Sequence, residues 1–479
     1  MDVSVLEPPL AGPAGAPFVP CAGLPGLLTA ARVNALLERT TDTAAGPPGP
    51  ELQDVMAELA GLGLPSGSVV MISLPNGLRL LRWLFGALLT GHVPALVPPS
   101  TAAARWDELV THFGPALVVG GAGRLGRIAG TQLELAGARS VLPAAPVRCH
   151  EPGQMILLTS GTSGSATGCL HGLDALLHNA GLHAGALGVT GDDTLLVTLP
   201  VHYSFALVAQ VLTALRTGAS LVLSQPPFTV PGYLERLAAN AVTVSSLTPR
   251  LVTDLVASGG RMPDSLRVLS VGGQALPPAQ TAALLGLRPG RELYLTYGLT
   301  EAGPRVATLA AHREPARRHR SIGRPLPGVG LSLRPVPTGG EELLVASPTV
   351  YRARIGAAPA VGGRRGSLIA PGVLATGDLA EVEDGYVFLR GRTTDFAVIR
   401  GEKVSLASVR RTAESLDGVV RAVTRVDPGA DAYSLNLLVD REPVEGPAGL
   451  QRRLNALLSR HERPAELTVE LAPADLLLK

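Results

Sequence analysis

The chain has 479 residues, with 41 Lys and Arg against 39 Asp and Glu and a formal net charge of +2. Hydrophobic residues make up 46%, charged residues 17% and aromatics 3%, with a mean hydropathy of +0.28. Such a chain can build large cores and is not disordered, and its balanced charge and few aromatics exclude a dedicated nucleic-acid binder or a polybasic membrane protein. Single cores stop growing near about 250–300 residues, so at least two domains are expected.

Residues 1–25 read as an irregular leader, acidic and Pro-rich, without the basic start and apolar core of a signal peptide. Residues 26–64 carry helical pattern, broken by a Pro/Gly run at 47–50. VVMISL (69–74) is a short apolar run bounded by Gly67 and Pro75, which predicts a buried strand. LRLLRWLFGALLTG (78–91) predicts a helix, PALVP (94–98) a strand and ALVVG (116–120) another. The alternation continues through MILLTSG (155–161), TLLVTLP (194–200), ASLVLS (219–224), TVSSL (243–247), LRVLSVGG (266–273) and LYLTYG (293–298). Strands alternating with helices imply crossover units and parallel sheet. Beyond about residue 340 short β-rich pieces such as EELLVAS (341–347) and GYVFLRG (385–391) take over. From about 396 a small α+β module is expected: strand AVIRG, helix SLASVRRTAESLD, strands VVRAVTRV and AYSLNLLV, helix GLQRRLNALLSRH and tail strand LTVELA. A domain boundary is therefore expected near 391–396. No run is long and apolar enough for a spanning helix. Cys21, Cys149 and Cys169 form no CxxC pair, which fits a reducing cytoplasm.

Four stretches could carry chemistry. LLTSGTSGSATG (157–168) leaves an apolar strand in a run of small residues. Such a loop can turn backbone N–H groups and hydroxyls toward a polyphosphate, although no GK[ST] closes it, and it also reads as an ordinary polar loop. YGLTEAG (297–303) pairs Thr300 with Glu301 at a strand end, suited either to a phosphate oxygen and a magnesium ion or to capping a helix. In ATGDLAEVEDGYVFLRGR (375–392), Asp378 after a Thr–Gly turn can accept from ribose hydroxyls or simply close a hairpin. The tail LAPADLLLK ends at Lys479. Lysine use is informative here: Lys403 and Lys479 are the only lysines, every other basic residue being Arg, as if a compact primary ammonium is required at those two places.

Together and in this order, the motifs resemble those of the adenylate-forming superfamily of acyl- and aryl-CoA synthetases, peptide-synthetase adenylation domains and luciferases. TSGTSGSATG looks like the phosphate loop, PVHYSFALV (200–208) like the substrate-pocket motif and SVGGQALP (270–277) like the adenine-side Gly loop. YGLTEAG, TGDLA and GRTTDFAVIRGEKVS (391–405) look like the ATP, ribose and hinge motifs. TEAGPRVATL further resembles a TEA-x-x-R pattern of an acyl-CoA-synthetase-like branch.

The resemblance implies an α/β fold. A large N-terminal domain (1–393) of mixed and parallel sheets with helices and a small β-barrel-like part would bind ATP and acid. A small mobile α+β lid domain (394–479) would carry the catalytic lysine. It implies that Thr159, Ser160, Gly161, Thr162, Ser163 and Gly164 wrap the β- and γ-phosphates, that Thr300 meets the α-phosphate and that Glu301 holds Mg²⁺. Tyr297 would pack on adenine beside Gly272 and Gly273, and Asp378 and Arg392 would hold the ribose. His202, Tyr203 and Phe205 would line the acid pocket. Thr394 falls at the hinge, and Gly401 and Lys403 on the loop serving the second half-reaction. Lys479 would bridge carboxylate and α-phosphate, offsetting the charge that builds between two anions.

The implied activity is ATP- and Mg²⁺-dependent formation of an acyl-adenylate, then transfer to CoA or to the phosphopantetheine of a separate carrier protein. A specialised biosynthetic pathway in the cytoplasm is the expected setting, with neither nucleic acid nor membrane as partner. An amine or hydroxyl acceptor, or a binder of acyl groups or nucleotide without catalysis, are the other readings. The chain departs from the family pattern in places: Ala166-Thr167-Gly168 stands where Pro-Lys-Gly is usual, Thr394 where Asp or Lys is usual, and Leu478 where Gly is usual. The basic run REPARRHR (313–320) reads as a solvated loop or as a docking patch for an acidic carrier or CoA phosphates.

Overall fold

The computed structural model describes residues 26, 28–44, 49–121, 125–159, 167–225, 227–336, 340–356, 366–393, 396–399, 402–426 and 432–472. The chain divides into two compact units: Met1–Ser332 with Leu344–Ala375 and Val382–Phe388, and Leu333–Leu343 with Thr376–Glu381 and Leu389–Lys479. The second unit thus takes in two stretches, 333–343 and 376–381, that lie well before the boundary expected from sequence near 391–396.

The first unit holds two eight-stranded sheets. In one, Thr40–Asp42, Ser220–Leu223, Thr194–Val197, Val244–Leu247, Val268–Gly272 and Glu292–Gly298 run parallel in that spatial order, and Arg305–Ala310 and Arg324–Pro325 close it antiparallel. In the other, Gln154–Thr159, Val93–Leu96, Val69–Ser73 and Leu117–Gly120 are parallel. Antiparallel strands flank them: Thr167–Gly172 and Ala353–Gly356 on one side, Ala138–Pro143 and Gly130–Leu135 on the other. Both sheets are therefore mixed rather than purely parallel. Five further strands between Gly330–Pro335 and Tyr386–Arg392 form a separate sheet.

Successive strand side chains point to opposite faces, and the second sheet uses both. Val70, Ile72, Leu117 and Val119 enter the main core with the helix Leu78–Leu89, while Val69, Met71, Val118 and Ile156 enter a second core under the helix Trp106–Phe113. Burial on both faces explains why VVMIS is apolar without alternation. Trp83, on the helix Leu78–Leu89, is completely buried in the main core. Its replacement by alanine is expected to cost about 3–5 kcal/mol, read from chemical denaturation, because so large a site cannot collapse.

The second unit is built as its periodicity suggests. Strands Phe396–Ile399 and Glu402–Ser405 pair antiparallel. They lead into the helix Leu406–Glu414, capped by the Ser405 hydroxyl accepting from the Ser408 N–H. Val419–Val426, Tyr433–Val439 and Glu466–Leu471 form a three-stranded sheet. Val409, Leu435, Leu437 and Leu454 form the centre of its core. Among the described residues no helix is long and apolar enough to cross a membrane.

Candidate active site

The chemistry-bearing residues of the first unit gather where parallel strands end, the edge at which open α/β sheets bind ligands. The strand Glu292–Gly298 bulges between Tyr297 and Gly298, then enters a short 3₁₀ turn, Thr300–Ala302. Gly298 admits no side chain there, since a Cβ would lie 1.7 Å from the Pro304 carbonyl oxygen. Leu299 rather than Thr300 stands at the cap position, so the Thr300 side chain is not spent on capping. Instead its hydroxyl meets that of Ser204 at 2.9 Å. The turn is strapped down from outside: the Thr349 hydroxyl donates to the Ala302 carbonyl at 2.7 Å, and the Tyr351 N–H to the Glu301 carbonyl at 3.0 Å.

Glu301 is buried, and its carboxylate lies 3.4 Å from the Arg354 guanidinium. Arg354 also donates to the Gly366 carbonyl at 2.9 Å. Gly366 is part of the fit, because a Cβ there would fall 2.6 Å from Glu301 Cγ. Arg354 faces Cys169 across an antiparallel pair. Burial first, and the Glu301 carboxylate next, push the Cys169 thiol well above its usual range, so it behaves as a small apolar group. One carboxylate rather than a cage is a donor set that suits Mg²⁺, which keeps waters and substrate phosphates as its other ligands. Among the described residues no cluster of three or more His, Cys, Asp or Glu could hold a metal by itself.

Thr159 and Thr167 are directly paired and share a 2.8 Å hydroxyl contact, so the Ser/Thr/Gly stretch joins two antiparallel strands. This differs from a strand followed by a helix. Ser160, Gly161, Thr162, Ser163 and Gly164 lie outside the described residues. Gly272 ends the strand Val268–Gly272, and Gly273 follows with φ +90°, a backbone shape reserved largely for glycine. The His202 and Tyr203 rings touch at a 53° tilt with centroids 4.4 Å apart, and Phe205 follows in the short helix Ser204–Ala206. That helix widens into a π-helix over Leu207–Leu212.

In the second unit Asp378 is buried, with Arg392 at 3.4 Å. Its N–H donates to the Thr376 hydroxyl at 3.0 Å, and the Gly377 N–H to the Glu342 carboxylate at 2.8 Å. Lys403 lies on the strand Glu402–Ser405. Thr394, Gly401 and Lys479 lie outside the described residues. In the basic run, Arg318 pairs with Glu314 at 2.8 Å and lies over the Tyr386 ring, and His319 is buried, while Arg313, Arg317 and Arg320 are exposed.

Sequence reasoning missed Ser204, Arg354 and the placement of Arg305. Arg305 stands in the quoted TEA-x-x-R stretch, but its burial is a tertiary fact. Arg354 carries no local signal, because its partners come from distant strands.

Residues 54–353 match the model of the family described as AMP-binding enzyme. The isonitrile lipopeptide synthase of Streptomyces coeruleorubidus is 28% identical over 83% of this chain, which spans 29% of that protein. The indoleacetate–CoA ligase of Aromatoleum aromaticum is 28% identical over 65% of this chain, which spans 62% of that protein. The chain thus spans less than two thirds of the length of both. The o-succinylbenzoate CoA synthetase of Bacillus subtilis, solved with an acyl-adenylate intermediate, superposes with a TM-score of 0.70 at 20% identity, over 93% of this chain and 96% of that one. The same synthetase with ATP and magnesium ion gives 0.67 at 20% identity over 88% and 89%. These structures share the fold, and the family match extends over more than half of the sequence: this chain belongs to the AMP-binding enzyme family.

Proposed function

We propose that the chain activates a carboxylic acid with ATP and passes the acyl group to a thiol. A carboxylate oxygen attacks the α-phosphorus, the bond to the bridging oxygen breaks, and pyrophosphate leaves the acyl-adenylate behind. A thiol, that of CoA or of phosphopantetheine on a separate carrier protein, then attacks the carbonyl and releases AMP. Both classes of relative favour this: a CoA ligase and a lipopeptide synthase by name.

The observation that carries the reading is the buried Glu301 beside the Thr300–Ser204 hydroxyl pair, at the carboxyl ends of parallel strands. Glu301 would hold Mg²⁺, whose charge would offset that of the leaving phosphates. Thr300 would donate to the α-phosphate, and Thr159 with the loop to residue 164 would wrap the outer phosphates. Tyr297, Gly272 and Gly273 would receive the adenine. Asp378 would accept from the ribose hydroxyls with Arg392 alongside. His202, Tyr203 and Phe205 would line the acid pocket. Lys479 would sit between the two reacting anions, and residues 394–479 would act as a lid hinged at Thr394, with Gly401 and Lys403 serving the thiol step. A cytoplasmic, biosynthetic setting belongs to the same proposal.

Carboxylate-dependent exchange of pyrophosphate into ATP, measured with Mg²⁺ across aryl, aliphatic and amino acids, tests it. Exchange with one class of acid is the expected result. ATP binding without exchange for any acid would move the reading to a binder that does not catalyse.

A further inference from the structure

Arg305 is a buried cation that the adenylation chemistry does not use. It is 3% exposed, and among the described residues no carboxylate lies within 4 Å of it. Nη1 donates to the Thr296 hydroxyl at 2.8 Å, and Nε is buried with no partner among the described residues. The guanidinium carbon lies 4.3 Å from the centre of the Phe205 ring. Burial alone pushes its pKa down to about 10, with no acid nearby to raise it, so the group stays charged at neutral pH. His183 beside it is buried and neutral, and supplies no negative charge. An arginine taken out of water without a counter-ion is strongly disfavoured, and stacking on one ring offsets only part of that.

The position of this cation is equally informative. A Cβ on Gly272 would lie 3.1 Å from Arg305 Nη1, 3.1 Å from Phe205 and 2.4 Å from the Thr296 hydroxyl. The three side chains therefore converge on a glycine at the carboxyl end of a parallel strand. Phe205 follows Ser204, the partner of Thr300, and Arg305 follows Glu301 across the turn closed by Gly303. The charge stands at the same strand ends as the reacting groups.

We propose that Arg305 receives a second anionic group on the acid substrate, so that the chain selects carboxylic acids bearing a distal carboxylate or sulfonate. This rests on the adenylation reading and supplies its substrate class. The acid would provide the counter-ion that the fold withholds, and an uncharged analogue would leave the guanidinium unpaired. Sites built this way reject the analogue strongly, since the penalty falls on the enzyme's own buried group.

The test is pyrophosphate exchange with matched acids: succinate against butyrate, glutarate against valerate, phthalate against o-toluate, and 3-sulfopropanoate against butyrate. At least one dianionic member is expected to exceed its uncharged partner by about 30-fold or more in kcat/KM. Arg305→Gln is expected to reduce that ratio to about threefold or less, Arg305→Lys to retain part of it, and the KM for ATP to stay within about threefold. A preference for the uncharged members, or a loss in Arg305→Gln that falls on the KM for ATP instead, overturns the proposal. Thermal shifts with the same acids read binding without turnover. Stabilisation of the wild-type chain by a dianion, absent in Arg305→Gln, is expected; equal shifts in both overturn the inference. Absence of exchange with every acid overturns the adenylation reading instead, and the thermal shifts still decide the role of Arg305.

Discussion

Replacing Glu301 by glutamine is expected to lower acid-dependent pyrophosphate exchange by about 10²–10³-fold. The substitution preserves shape, which matters because Gly366 leaves no slack around the Glu301 side chain. What it removes is charge. Glutamine cannot bind Mg²⁺ as an anionic oxygen donor, and the Arg354 guanidinium loses its carboxylate at 3.4 Å. Truncating one partner of a buried pair costs up to about 3–5 kcal/mol. Here Arg354 keeps the Gly366 carbonyl at 2.9 Å, so the loss of stability should stay below that. The diagnostic measurement is the magnesium dependence of exchange. Half-saturation should move to higher Mg²⁺ in Glu301→Gln. An unchanged magnesium curve would remove Glu301 from the metal site and leave it as a structural partner of Arg354.

Acid should unfold the first unit well before its carboxylates titrate. His171 and His183 are almost wholly buried, and burial, the largest cause for both, lowers their pKa values to about 4 and about 3. For His183 the neighbouring Arg305 adds to the shift. In the unfolded chain a histidine titrates near about 6.5. Above that pH both states are neutral and the two residues contribute nothing to a pH dependence. Below it the unfolded chain takes up protons that the native chain refuses, so stability falls by about 1.4 kcal/mol per pH unit for each histidine. The fall ends near pH 4 for His171 and near pH 3 for His183, after about 3 and about 5 kcal/mol. By pH 4 the two together have removed about 7 kcal/mol, a large share of a typical total of about 5–15 kcal/mol, so the acid transition of the unit is expected between pH 6 and 4. Circular dichroism against pH should show the transition there, and a His171→Leu, His183→Leu double variant should move its midpoint down by about one unit. Coincident midpoints would mean that other groups govern acid stability.

Much of the architecture was legible because burial leaves a compositional trace. The runs at 69–73, 194–197 and 268–272 are short and mostly apolar, and each forms a largely buried strand. Strand direction leaves no such trace. Gln154–Thr159 and Thr167–Gly172 pair antiparallel, and Arg354 reaches Cys169 from 185 positions along the chain, neither of which any local period encodes. The site divided along the same line. Thr300, Glu301, Tyr297 and Asp378 could be named as candidates from motif order, since their residue types suit the chemistry proposed for them. That no described carboxylate lies beside Arg305 is a property of several strands at once, so the sequence names that arginine without showing its surroundings.

The strand Val69–Ser73 sends alternate side chains into two different cores. Such a strand is a party wall. Neither core can loosen at this strand without stripping packing that the other also needs, so no inexpensive partial opening exists there. Regions that open cheaply are those with few shared contacts. Whatever motion the first unit itself lends to the site must therefore come from the turns at the strand ends, with this strand as part of the fixed frame.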